Sequence, residues 1–186
     1  MMQFGRFHRT LSVLMLFVCL FSAVGASAEL RELPYNYTYF TCQEGGFVFP
    51  LPSDTTFEPV SEWLMAQNII IVGGTRSYTV IVRRYPNMTY DKMCARLLSN
   101  AGYKCKAYST NSTPRMVATA LDPNPDLAST MVCLEGQDGA TYVIELLSGY
   151  NGEVGKDAKM WDVAHEITYC IALGYTEQGA KIKITQ

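Results

Sequence analysis

The sequence predicts an α+β fold: a mostly antiparallel sheet with two helices on one face. Three observations predict it. A strand–helix–strand unit spans Tyr78 to Tyr108, a hairpin signal sits at Gly136–Gly139, and a second amphipathic helix follows from about Asp157 to Leu173. Strands near 78, 104, 131 or 142, and 182 then give a ferredoxin-like β-α-β-β-α-β order, with added N-terminal strands and a central hairpin.

The first 28 residues have the form of an export leader. Arg6, His8 and Arg9 precede an apolar run from Leu11 to Val24, and Ala26-Ser27-Ala28 supplies small residues for cleavage before Glu29. The run is too short for a comfortable membrane span, and no later segment approaches the ~20 apolar residues such a span needs. The expected mature chain, Glu29 to Gln186, divides into a strand-and-loop segment over 29–67 and an α+β domain over 68–186, together one compact unit. The expected location is periplasmic or secreted.

Pro34 to Cys42 reads as a strand with Tyr35, Tyr37 and Tyr39 on one face. Phe47 to Phe49 returns after the turn at Glu44-Gly45-Gly46, and Pro50, Pro52 and Asp54 break regular structure. Pro59 to Gln67 suits a short helix. Ile69 to Val72 is wholly β-branched, Gly73-Gly74 marks a hairpin turn, and Tyr78, Val80 and Val82 alternate with Thr79, Ile81 and Arg83.

Thr89 caps the next helix and Asp91 suits its first turn. Tyr90, Met93, Cys94, Leu97, Leu98 and Ala101 make its apolar stripe, and Gly102 stops it. Tyr103 to Tyr108, Met116 to Leu121, Thr130 to Leu134 and Thr141 to Leu147 read as strands. In the second helix, Met160, Val163, Ala164, Ile167, Cys170 and Ile171 mark the buried side, and Gly174 ends it. Lys181 to Thr185 alternates as a last strand.

Five cysteines remain after the leader: Cys42, Cys94, Cys105, Cys133 and Cys170. Export favours their pairing. Cys94 and Cys105 face the layer between helix and sheet at matching depths, which suits a bridge; the same logic joins Cys133 to Cys170. Cys42 is the rival partner for any of these four. No pair has C-x-x-C spacing, so metal binding and thioredoxin-like chemistry lack their signature.

No cofactor motif is present. The Gly73-Gly74 stretch lacks phosphate-loop spacing. The leader holds two arginines and no acid, leaving 13 basic against 17 acidic residues, and the scattered bases give no nucleic-acid footprint. One histidine, His165, would have to serve any histidine-based hydrolysis, and its mid-helix position beside Glu166 suits a surface role. Asp91, Glu135, Glu145, Asp162 and Glu166 are the carboxylates available for glycoside chemistry, Glu145 being the one that interrupts an apolar strand. Tyr35, Tyr37 and Tyr39 are the candidate ligand-facing aromatics, since tyrosine stacks on sugars or fills a partner's groove at small entropy cost. Sequons at Asn36, Asn87 and Asn111 matter only in a glycosylating host.

Tyr78 to Tyr108 (YTVIVRRYPNMTYDKMCARLLSNAGYKCKAY) resembles the first β-α-β half of SPOR domains. The shared elements are the Tyr-x-Val strand, the amphipathic helix, and Leu97-Leu98 leading to Ala101-Gly102-Tyr103. The resemblance implies a ferredoxin-like fold and binding of periplasmic glycan. It stops there: no second Tyr-x-Val strand leads promptly into a helix. The sequence therefore predicts a disulfide-bonded, exported binding module whose partner is a protein or cell-wall glycan. The alternatives are a hydrolase using carboxylates or His165, and a secreted inhibitor or immunity protein.

Overall fold

The computed structural model describes residues 30–110, 113–121, 130–148 and 158–174. The leader and the expected strand at Lys181–Thr185 lie outside the described residues, as does the start of the second helix at Asp157.

Among the described residues, ten strands and three helices follow in the order β1 (Tyr37–Cys42), β2 (Phe47–Pro52), β3 (Thr56–Glu58), α1 (Glu62–Ala66), β4 (Ile69–Gly74), β5 (Tyr78–Tyr85), α2 (Tyr90–Ser99), β6 (Tyr103–Tyr108), β7 (Arg115–Ala120), β8 (Thr130–Glu135), β9 (Thr141–Ser148), α3 (Ala158–Cys170) and β10 (Ala172–Leu173). They form a seven-stranded sheet, β3-β4-β5-β9-β8-β7-β6, and a three-stranded sheet, β1-β2-β10. Every neighbouring pair is antiparallel. The α+β class and the mostly antiparallel sheet are as expected.

The strand order is not ferredoxin-like. The crossover through α2 carries the chain from β5 to β6 at the far edge. The chain then returns by a meander, β6 to β9, until β9 pairs with β5. Three strands separate the two ends of the β-α-β unit, where a ferredoxin-like sheet has one.

The two helices also occupy opposite faces of the large sheet. Met93, Cys94 and Leu97 of α2 pack with Ala118, Cys133 and Val143. Met160, Val163, Ala164 and Ile167 of α3 pack with Val80, Val82, Val132, Leu134, Tyr142 and Ile144. The cause is visible in the strands: β8 and β9 are buried on both sides, so alternate residues feed two cores. A continuous apolar run does not say which face a helix takes.

The small sheet shares the α3 face. Cys42, Phe47, Phe49 and Leu51 join the same core as α3. Pro50 and Pro52 do not break β2, because β10 pairs only with Phe47 and Val48 and leaves the edge beside the prolines without a ladder to interrupt.

Local signals explain the element ends. The Thr89 hydroxyl accepts from Lys92 N–H at 3.4 Å, the expected cap. The stop after α2 is Asn100, whose side chain accepts from Gly102 N–H at 2.9 Å; Leu98, placed on the buried stripe from sequence, is exposed. Asn68 ends α1 in the left-handed region at φ 64°, a conformation asparagine tolerates. Gly73 and Gly74 lie inside β4, and the turn falls at Thr75–Ser77. Gly174 follows β10 rather than capping α3; at φ 77° its N–H donates to Gly46 carbonyl at 2.7 Å and extends the pairing of β10 with β2 to the β1–β2 turn.

Arg115 is the largest fully buried side chain. Its Nε donates to Thr168 carbonyl at 2.6 Å, and Nη1 donates to the carbonyls of Thr110 at 2.9 Å and Thr113 at 2.7 Å. Nη2 reaches Thr168 carbonyl and Thr110 hydroxyl. Thr168 sits in the last turn of α3, where carbonyls lack helical partners and the dipole favours a cation. Replacing Arg115 by Met takes these donors away and leaves Thr110 carbonyl only the Thr113 N–H at 3.2 Å, so urea denaturation is expected to show a loss of about 3 kcal/mol. Arg115→Lys should lose most of it too, because one ammonium cannot span the same acceptors. Wild-type stability in the lysine variant would show that the fork geometry is immaterial.

Candidate functional site

A cavity of about 430 Å³ opens where the small sheet meets the β3–β4 edge of the large one. Phe40 and Thr41 come from β1, Phe49 from β2, Phe57 and Glu58 from β3, and Ile70, Ile71 and Val72 from β4, with Val60 between. It exists because α3 packs against β2, β8 and β9 and does not extend over β4. Phe40 and Phe57 meet across it with ring centroids 5.0 Å apart, tilted by 59°. Phe57 is 43% exposed at the cavity, and α1, which packs against β4, exposes Trp63 (71%) and Met65 (57%). An apolar cleft beside a helix with exposed large apolar side chains marks a contact surface.

The tyrosine stripe is not one surface. Tyr35 precedes β1 and is fully exposed. Tyr37 is half-buried against the main core. Tyr39 is buried, and its hydroxyl donates to Arg31 carbonyl at 2.8 Å.

The five cysteines among the described residues are free thiols. Cys94 and Cys133 lie in the α2-side core and Cys105 packs against it, so the structure brings Cys94 and Cys105 into one layer. Cys170 lies instead against Tyr39 and Val48. The expected Cys133–Cys170 bridge is therefore corrected. Cys133 points to the α2 face while Val132 and Leu134 point to the α3 face, and the sheet stands between the sulfurs. Cys42 belongs to the main core, with Glu44 its nearest acceptor at 3.9 Å.

The candidate catalytic groups stay apart. His165 is exposed and stacks on Tyr169 at 4.7 Å. Glu145 pairs with Arg83 Nε at 2.7 Å, which accounts for a carboxylate in an apolar strand. Glu166 accepts from Cys170 at 3.5 Å. Asp91, Glu135 and Asp162 are exposed on α2, β8 and α3. Among the described residues no three His, Cys, Asp or Glu side chains gather to hold a metal, and no helix is long and apolar enough to cross a membrane. The exposed sequon asparagines Asn36 and Asn87 stand in turns. Asn111 lies outside the described residues.

No protein-family model matches the chain, and no curated protein does. Among solved structures it is similar to cyanobacterial PsbP (CyanoP) from Synechocystis sp. PCC 6803, at 11% identity over 81% of this chain and 95% of that one, with a TM-score of 0.46. It is also similar to LpqN, involved in cell envelope biogenesis of Mycobacterium tuberculosis, at 15% identity over 73% of this chain and 89% of that one, with a TM-score of 0.34.

The groove was missed from sequence because its lining comes from four strands and a loop. Its one local signal is the apolar set Phe57, Val60, Trp63 and Met65 in a stretch otherwise rich in turn formers.

Burial sets the thiols' behaviour. It pushes Cys42 up to about 12 and Cys170 up to about 11, and raises Cys133 and Cys105. Alkylation of the reduced protein near pH 8, followed by mass spectrometry, should modify half-exposed Cys105 first; equal labelling of Cys42 would contradict the packing. The same burial gives a pH dependence. The neutral forms of Cys42 and of Tyr78, also raised to about 12, are held in the fold, while the unfolded groups ionise from about 9 and 10. Stability is then full below pH 9 and falls between about 9 and 12, since only the unfolded state gives up protons there. Urea midpoints at pH 8 and 10.5 check the sign.

Proposed function

We propose that the chain is an exported binding module whose contact surface is the groove between the two sheets, and that its partner is a protein. The observation that carries this reading is the groove itself: three phenylalanines and four branched aliphatic side chains facing an open cleft, with Trp63 and Met65 exposed on α1, which packs against β4. Side chains of another protein fill such a lining. A glycan needs dense hydrogen bonding, and the lining supplies only Thr41 and Glu58 as polar side chains. The leader-like residues 1–28 support export, and an oxidising destination would favour a bridge between Cys94 and Cys105 on the α2 face, away from the groove.

A photo-crosslinking residue placed at Trp63 in the producing cells tests this. One discrete protein adduct is expected, lost when Ile70→Glu is added and retained when the distant Lys104→Ala is added. Thermal unfolding of the Ile70→Glu protein shows whether it still folds, and Phe57→Ser serves as a second, milder variant. Absence of any adduct, together with sedimentation of the protein on purified cell wall, would replace the protein partner by glycan.

A further inference from the structure

The chemistry of the groove's occupant can be taken further, on the reading that the groove is the binding surface. From residue 32 to residue 75 the chain contains no lysine, arginine or histidine, and it contains five acids: Glu32, Glu44, Asp54, Glu58 and Glu62. Every side chain that lines the groove comes from this stretch. Bases resume at Arg76 and are then frequent, so the charge asymmetry comes from the omission of cations rather than from an acidic run.

Glu58 itself lines the cavity. Glu62 is exposed at the start of α1, two residues after the lining residue Val60, and Asp54 is exposed in the turn that leads into β3. Arg83 reaches the end of α1, where its Nη1 donates to Gln67 carbonyl at 2.9 Å; its charge is taken by Glu145 at 2.7 Å. A cleft with apolar walls and one sign of charge at its mouth selects the opposite sign, because like charges brought together on docking cost several kcal/mol.

We infer that the groove takes a cationic amphipathic segment of another protein. Its apolar side chains enter between Phe40, Phe57 and Ile71, and its lysines or arginines meet Glu58 and Glu62.

Synthetic peptides test the inference on the mature protein carrying Trp161→Phe, so that Trp63 is the remaining indole and reports from α1, the helix that packs against β4. Three are compared: a short leucine–lysine amphipath, its leucine–glutamate counterpart, and a serine–lysine peptide of equal charge. The leucine–lysine peptide is expected to shift Trp63 emission and to bind at least about tenfold more tightly than either other. Binding should weaken as salt rises from about 0.01 M to 1 M and the screening length falls from about 30 Å to about 3 Å. The double reversal Glu58→Lys with Glu62→Lys, both at exposed positions, should transfer the preference to the leucine–glutamate peptide.

Equal binding of both leucine peptides overturns the cationic occupant and leaves the groove reading intact. Equal binding of both lysine peptides shows attraction by charge alone and overturns docking in the groove. If no peptide binds, the cationic segment is excluded; a surviving Trp63 adduct in cells would then keep the binding surface and discard only this occupant.

Discussion

The fold depends on what happens at one end of α3. A buried guanidinium has no carboxylate there, and it is held instead by carbonyls of the loop before β7 and of the last turn of α3. Burial lowers the affinity of Arg115 for its proton, but the carbonyls of Thr110, Thr113 and Thr168, with the face of Tyr108 6.0 Å away, replace the lost water. One side chain thereby joins the start of β7, the loop before it and the last turn of α3. The carbonyls would be costly to bury without the arginine, and the arginine would be costly without the carbonyls. Thr113 extends the arrangement: its hydroxyl accepts from Leu173 N–H at 3.1 Å and seats β10. The position of α3, and through β10 that of β2, follows from this node.

Fixing α3 decides what remains uncovered. With its C-terminal end tied to β7 and its apolar side spread over β2, β8 and β9, the helix leaves the β3–β4 edge open. The three-stranded sheet covers that edge only in part, because β1 and β2 meet the large sheet through side chains rather than ladder hydrogen bonds. The groove is the remainder of this geometry. A second junction ties the two sheets through their turns: Gln137 N–H, between β8 and β9, donates to Gly45 carbonyl, between β1 and β2, at 2.8 Å. The two sheets are thus tied at the turns and apart at the groove.

Periodicity carried the elements but not their assembly. The α2 cap at Thr89, the hairpin around Gly136–Gly139 and the apolar positions of α3 were all legible, because each depends on residues close in sequence. The face that each helix occupies was not, since β8 and β9 bury both sides and their composition is symmetric with respect to the two cores. That ambiguity propagated to the Cys133–Cys170 pairing, which assumed a shared layer. It also hid Arg115, which in sequence is one more base after a proline. Its burial is set by Thr168, 53 residues away. The SPOR resemblance failed for the same reason. A strand, a helix and a strand are common to many sheets, and what distinguishes them is how many strands the crossover spans.

Charge and shape at the groove are linked by folding itself. A cation near Phe40, Phe57 or Ile71 would have to place its head in water across an apolar wall or find a carboxylate inside it. The stretch avoids both by containing no cation. The omission also has a consequence outside the folded state: β3 is a short, exposed edge strand, the kind of edge that lysine often protects from pairing with other chains. Here the outer edge carries Glu58 instead, and the opposite edge, β6, carries Lys104 and Lys106. The two edges of the large sheet therefore bear opposite signs. Edge-to-edge pairing of like with like is opposed at both ends by repulsion, while an incoming segment of opposite charge and apolar content meets no such barrier at β3.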